Sequence, residues 1–544
     1  MSLSQNNIQD ETLTIKNDQH LVSLQFIKNY KVSKLVMEQC QNIDLTDIPE
    51  NITDIKIIKC EIDSLNKIYL KNVVKNVMLR YNRINDLAGI EHFVHLTALN
   101  LGGNQIVNIS LLEKLVNLED LRLWENKITN ISPISMLIKL KLLFIDNNLI
   151  RDISYIKNLT QIKQLSLCKN KIQDISVLEF LTNLEELNLA ENYIKNISAL
   201  KYLKNMKQLI IQKNVITTIN SVESLTNLQQ LDVAQNNIQN INVLSKLANL
   251  NILSIAQNKI SNVSPLENMK NLQYLYLGSN EIQDISCLKE MSQLILLSVY
   301  DNDIEDISTI RNLTRLQVID MSNNNIDNID VINHLSKLQK IYANDFQISD
   351  LTLIFTGPFK NFENVLELHL CDNDISNLSP IAKLKTLQQL WLQNNRINDI
   401  SPLNSLNNLN TLNLQNNEVV DLTPLKDIIS LNILYLNDNK ICDVSCLLAR
   451  NYEILFLNRN FIVKNHNFQK QPTREHILLS NRMKHCFLQS QILNQLRRRQ
   501  QQTWIKFKNF IKTEQAMTNM AFKNHMVFAQ AAASTLTSIC EHWE

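Results

Sequence analysis

The chain has 544 residues, 54 Lys+Arg against 53 Asp+Glu for a net charge of +1, and 44% apolar but only 6% aromatic residues. A near-neutral balance excludes a global pull toward nucleic acid or anionic lipid. With 5 Gly, of which only Gly102 and Gly103 are adjacent, a glycine-rich phosphate cradle is excluded as well.

Residues 1–12 form a short polar segment without the charged-then-apolar pattern of a secretion signal. No apolar run approaches the ~20 residues of a membrane helix. Nine thinly spread Cys, an odd number, do not make a disulfide framework. These features predict a cytoplasmic chain, with the nucleus as an alternative, that is not secreted. The Asn-Ile-Ser triplets at Asn108, Asn130 and Asn196 then read as by-products of a repeat.

That repeat fills residues 13–463, where Asn recurs at one slot. Asn82, Asn104, Asn126, Asn148, Asn170, Asn192, Asn214, Asn236, Asn258, Asn280, Asn302 and Asn324 are each 22 residues apart. Upstream the slot holds Asp18, Cys40 and Cys60; downstream it holds Phe346, Asn373, Asn395, Asn417, Asn439 and Asn460, for 21 units in all. Around Asn126, Leu121 and Leu123 alternate with Arg122 and Trp124, the mark of a short strand with one buried face. Ile128, Ile131, Ile134, Leu137 and Leu140 then recur every third residue, which fits a 3₁₀-like return better than an α-helix. Pro133, Pro265, Pro380, Pro402 and Pro424 all fall seven residues after a ladder Asn, outside any strand ladder. A buried Asn offers donors and acceptors to the turn's backbone. Cys and Asp replace it in part, and Phe346 has no polar group to offer.

The pattern LxxLxLxxNxIxxIxxL in units of 22 resembles the leucine-rich repeat, in the subclass shared by the leucine-rich regulatory subunit of protein phosphatase-1 and the bacterial internalins. The resemblance covers roughly 83% of the chain. It implies an α/β-type solenoid, a leucine-rich repeat horseshoe or arc. Its concave side is then a parallel β-sheet and its convex side 3₁₀ or irregular; a C-terminal α-helical tail is expected from the apolar spacing of the last residues, not from the resemblance. It also implies a non-enzymatic protein–protein interaction scaffold that binds a partner on the concave face. Twenty steps of ~4.8 Å give an inner arc of order 100 Å.

Residues four, two and one before the ladder slot are expected on that face. Four before stand Phe144, Tyr276, Tyr342, Trp391, Tyr435 and Phe456; two before stand Trp124 and Tyr300. Among them lie Asp146, Asp232, Asp301, Asp320 and Asp345. Exposed aromatics are the usual anchors of protein–protein contacts. The protein-binding candidates are therefore Trp124, Phe144, Asp146, Tyr276, Tyr300, Asp301, Tyr342, Trp391, Tyr435 and Phe456. The phosphatase-regulator resemblance implies a phosphatase catalytic subunit as the alternative partner. The aromatic–acid alternation it requires is interrupted here by Ser166, Asn188 and Ser254.

The register slips between Phe346 and Asn373, where Thr352–Glu363 adds five residues that read as a bulged loop on the convex side, with a hinge or partner-contact loop as the alternative. From Lys464 the character changes: this stretch carries +8, which leaves −7 for the rest. Trp504, Phe507 and Phe510 recur at helical spacing among Lys506, Lys508 and Lys512. The bland reading is a helical cover on the last repeat. The alternatives are a basic amphipathic helix for a calmodulin-like acidic protein, an autoinhibitory contact with the acidic body, or an electrostatic contact with RNA or lipid. Nucleic acid is not the expected partner of the chain. No nucleophile elbow or HExxH occurs, so no catalytic residue and no cofactor are expected. Cys442 and Cys446 lack two further ligands nearby, so no metal is expected either.

Overall fold

A computed structural model describes residues 8–18, 30–41, 48, 51–65, 74–352, 354–355, 362–447, 450 and 452–462. The tail expectations, including Trp504, Phe507 and Phe510, lie outside the described residues, as does most of the loop at 352–363.

One unit explains the rest. Leu121 and Leu123 are fully buried, while Arg122, in the strand Asp120–Arg122, and Trp124, just after it, alternate with them and are half-buried. The chain then turns, and Ile128, Ile131, Ile134, Leu137 and Leu140 carry it back, each fully buried. Burying one such side chain contributes about 1.5–3 kcal/mol, mostly against adjacent units. The return contains a short 3₁₀ helix, Ser132–Ile134, with Pro133 in its first turn, where a missing N–H leaves nothing unsatisfied. Asn130 opens it by accepting the Ser132 N–H on Oδ1 at 2.9 Å. Asp152, Asp174, Asn196 and their equivalents repeat that turn in unit after unit.

Among the described residues twenty-two strands, β1 to β22 in chain order, run from Ile8–Gln9 to Ile454–Phe456. From β2 (Thr12–Lys16) onward they form one parallel sheet of 21 strands, each paired with the next. Equivalent residues pair across units, so Leu121 lies opposite Leu143 and Leu143 opposite Leu165. Among the described residues only β1 is antiparallel, with Ile8 opposite Leu13 and Gln9 opposite Thr12. Its turn, Asp10-Glu11, has both residues left-handed, the geometry that lets two-residue hairpins follow strand twist. The polar front segment thus pairs the first edge of the sheet, which an open edge strand needs.

The ladder residue stitches the turns together. Asn236 donates from Nδ2 to the carbonyls of Ile211, Val233 and Ala234 at 3.1, 3.0 and 3.1 Å. Its Oδ1 accepts the Ile216 N–H of the preceding unit at 3.0 Å. Where the slot holds Cys40 and Cys60, sulfur takes over part of this work: the Cys40 N–H donates to Cys60 Sγ at 3.3 Å. Phe346 can accept nothing from the Ile326 N–H, which stands where Ile216 stands for Asn236. Ile326 is only half-buried, although its counterparts Ile216, Ile238, Ile260, Ile282 and Ile304 are fully buried. The following 3₁₀ helix, Ile329–His334, is the longest among the described residues.

The residue just before the ladder slot is left-handed in every unit, with φ 52° at Glu125, 54° at Asp301 and 55° at Asp438. That position is the corner of the turn, not a place on the sheet face as the alternation predicts. Asp301 sits there exposed, accepting hydrogen bonds from Ser279 Oγ at 2.7 Å and Asn323 Nδ2 at 2.6 Å.

Candidate binding face

Three rows of side chains run along the concave sheet. Row A lies six residues before the ladder slot, row B four before and row C two before. Because the pairing is in register, each row places like positions ~4.8 Å apart, within contact distance for rings.

The acids of this face turn inward. Asp232 accepts the Ala234 N–H at 3.0 Å and Asp320 accepts the Ser322 N–H at 3.1 Å. Asn100, Asn188 and Asn413 do the same in row B. Asp146, in row C, accepts from Ser166 Oγ and from the Cys168 N–H. Burial pushes the Asp146 and Asp232 carboxyls up to about 6 and Asp320 up to about 7. Asp232 and Asp320 are fastened to their own backbone and Asp146 to the next unit, so these three acids are not the freely presented charges that the sequence predicts.

The rings are also less exposed than expected. Phe144 is 6% and Tyr342 4% exposed, and of the eight predicted aromatics only Phe456, at 42%, is an exposed residue. They pack on neighbouring residues in three places. At the first, Trp124 lies over Gly102 of the preceding strand, where an added Cβ would stand 2.1 Å from the ring. Tyr81 meets Trp124 edge-on at 5.1 Å, and the Arg122 guanidinium lies 5.0 Å from the Phe144 ring centre. Tyr300 uses Gly278 in the same way, at 2.2 Å. Burial pushes the Tyr276 and Tyr300 hydroxyls up to about 12, so both stay neutral. Gly102→Ala is expected to lift Trp124 off its bed, red-shift its fluorescence and destabilise the fold by about 1–3 kcal/mol through overpacking. An unchanged emission maximum and urea midpoint would contradict that packing.

The third place is the longest. Row B from β17 (Lys340–Tyr342) to β22 reads Tyr342, His369, Trp391, Asn413, Tyr435 and Phe456. Tyr342 stacks on His369 at 4.3 Å, and His369 on Trp391 at 5.4 Å and 8°. Trp391 reaches past Asn413 to Tyr435 at 6.0 Å, and Tyr435 stacks on Phe456 at 5.5 Å. Burial drives the His369 ring down to about 3, so it is neutral. Within and beside this stack, four polar atoms are buried with no hydrogen-bond partner: His369 Nε2, Trp391 Nε1, Gln393 Oε1 and Asn437 Oδ1. Their grouping on one stretch of sheet is uncommon, since buried polar atoms are nearly always paired. Phe144, Trp124, Tyr276 and Tyr300 are not part of this stack. His369 is absent from the predicted aromatics because imidazole is not counted with Phe, Trp and Tyr; its signal in the sequence is a planar ring in the same slot as Tyr342 and Trp391. The glycine beds had a signal too, a Gly 22 residues before Trp124 and before Tyr300 in the same slot.

Among the described residues no helix is long and apolar enough to cross a membrane. Family models described as leucine rich repeats in two copies match residues 160–202, 248–290 and 363–405, and a further leucine rich repeat model matches 182–238. The chain is a leucine-rich repeat protein. Its solenoid is similar to a leucine-rich repeat protein of Leptospira interrogans, with 26% identity, 68% of this chain and 95% of that chain covered, and a TM-score of 0.58. An internalin (inlF) of Listeria monocytogenes is 30% identical over 64% of this chain and 89% of its own, with a TM-score of 0.47. The ectodomain of the Arabidopsis thaliana membrane receptor kinase GASSHO1/SCHENGEN3, solved with CASPARIAN STRIP INTEGRITY FACTOR 2, shares the fold at 20% identity. There 82% of this chain and 62% of that chain are covered, with a TM-score of 0.54. No curated protein matches the chain. The leucine-rich repeat scaffold carries many unrelated roles, so its fold does not name a partner.

Proposed function

We propose that this leucine-rich repeat protein is a non-enzymatic interaction scaffold whose protein partner seats on the concave face, centred on row B from β17 to β22. The observation that carries the reading is the continuous ring stack of Tyr342, His369, Trp391, Tyr435 and Phe456 beside unpaired polar atoms. Large rings near the middle of an interface, with polar groups completed only by the partner, are what binding hot spots are made of. The plant receptor ectodomain of like fold is itself solved in a complex.

The regulatory subunit of a protein phosphatase-1-like enzyme is the second reading. It has less support, because Asp232 and Asp320 accept bonds from their own strands and are not offered to a partner. The test immobilises the full chain, captures partners from its own cell extract and identifies them by mass spectrometry. Trp391→Ala with Tyr435→Ala is expected to lower capture at least about tenfold. Tyr193→Ala with Tyr202→Ala, two exposed residues away from the sheet face, is expected to leave it unchanged. Equal capture by both double variants would reject the concave site, and recovery of a phosphatase catalytic subunit would favour the second reading.

A further inference from the structure

We infer that the occupant of row B is an internal, uncharged stretch of an extended polypeptide, held through its main-chain amides; this rests on the reading just given. Three observations lead there.

The first is charge. On β18 (Glu367–His369) through β22, rows A, B and C hold one charged side chain, Glu367, and Lys340 already pairs with it at 2.8 Å. Glu367 also accepts from the Tyr342 hydroxyl at 3.1 Å. His369 is neutral because burial holds its ring far below the usual range. No cation is left in these rows to receive a terminal carboxylate, and no uncommitted carboxylate to receive an amino terminus or a lysine. A charged group brought here would lose its hydration without compensation.

The second is the hydrogen-bonding inventory. Trp391 Nε1–H is a donor, Gln393 Oε1 and Asn437 Oδ1 are acceptors, and neutral His369 Nε2 is either, depending on the tautomer. Main-chain amides supply both complements in alternation. From β18 to β21 (Ile433–Tyr435) is three strand spacings, about 14 Å, which an extended chain spans in about four residues. His369 is only 8% exposed, and all four atoms are closed off from water in the free chain. Seating a segment therefore requires the carboxamides and rings to turn toward it, and satisfying four orphaned groups favours that turn.

The third is ring orientation. His369 and Trp391 lie within 8° of parallel, and Tyr435 and Phe456 within 14°. The faces are spent on each other, so the rings offer their electropositive edges, which suit carbonyl oxygens. A sugar would need the faces.

The test pans a random-sequence peptide display library against the full-length chain. Enriched peptides are expected to share an uncharged core of about four residues and to bind equally with both ends blocked by acetylation and amidation. Their affinity is expected to hold from about 50 to about 500 mM salt, because no ion pair is made. Trp391→Phe keeps a ring and removes the N–H; it is expected to weaken them about tenfold while leaving the urea midpoint in place. Gln393→Leu is expected to act alike. Enrichment of charged cores, loss of binding on end-blocking, or Trp391→Phe binding as wild type would overturn the inference. So would failure to enrich any peptide, or capture of a neutral glycan that Trp391→Phe abolishes. A native protein partner lost on Trp391→Ala with Tyr435→Ala, but with no such peptide enriched, would leave the concave site standing and reject only this occupant.

Discussion

Asn236→Leu is expected to lower unfolding stability by about 2–4 kcal/mol, read as a lower urea midpoint. The substitution is nearly isosteric, so it leaves no large void. What it removes is four hydrogen bonds, three donated by Nδ2 and one accepted by Oδ1. The Ile216 N–H then stays buried with no acceptor at its old position, the most expensive of the four losses. The chain already contains the natural counterpart: where Phe346 replaces the ladder Asn, Ile326 is partly pushed out of the core. The same outcome is expected at Ile216, visible as faster amide exchange in that unit and its neighbour. An unchanged midpoint would mean the ladder is dispensable.

Asp320→Asn is expected to stabilise the protein at pH 8 by about 3–4 kcal/mol and to leave it nearly unchanged at pH 4. Asp320 is 1% exposed, and burial raises its carboxyl from 3.8 to about 7. The folded state therefore holds this proton over a pH range in which the unfolded chain has lost it. Stability from this group is fully present below pH ~4, falls as pH rises toward 7, and is level above. Asn keeps an oxygen for the Ser322 N–H and never ionises, so the slope disappears. Tyr300 and Tyr342, whose hydroxyls burial pushes up with a smaller contribution from Asp320, stay neutral throughout this range. Urea titrations of both forms at pH 4, 6 and 8 check the sign; a variant less stable at pH 8 would show that the ionised carboxylate is favourable.

The repeat was readable because each unit solves the same problem with the same residues. Seven buried Leu or Ile positions, one Asn and a spacing of 22 leave the backbone little choice, and in-register pairing follows from equal unit length. Even the misfit at Phe346 could be seen in advance, since it is a missing polar group at a position whose duty was known. The face was harder. Alternation predicts rows B and C but not the left-handed corner, because one turn residue reverses the period; this is why Asp301 moved from the sheet to the corner. Nor does a single strand reveal whether a Tyr points to water or lies on a neighbour's glycine.

The linear order of residues by itself determined the unit, the count of 21 parallel strands and the slots from which side chains could face inward, since local periodicity and one recurring polar side chain set them. Only the assembled sheet decided that Asp232 and Asp320 bind their own backbone, that His369 joins Trp391, and that four polar atoms are left without partners. The contact of His369 with Trp391 joins residues 22 positions apart, and burial, ring stacking and the loss of hydration exist only once neighbouring coils have closed against each other.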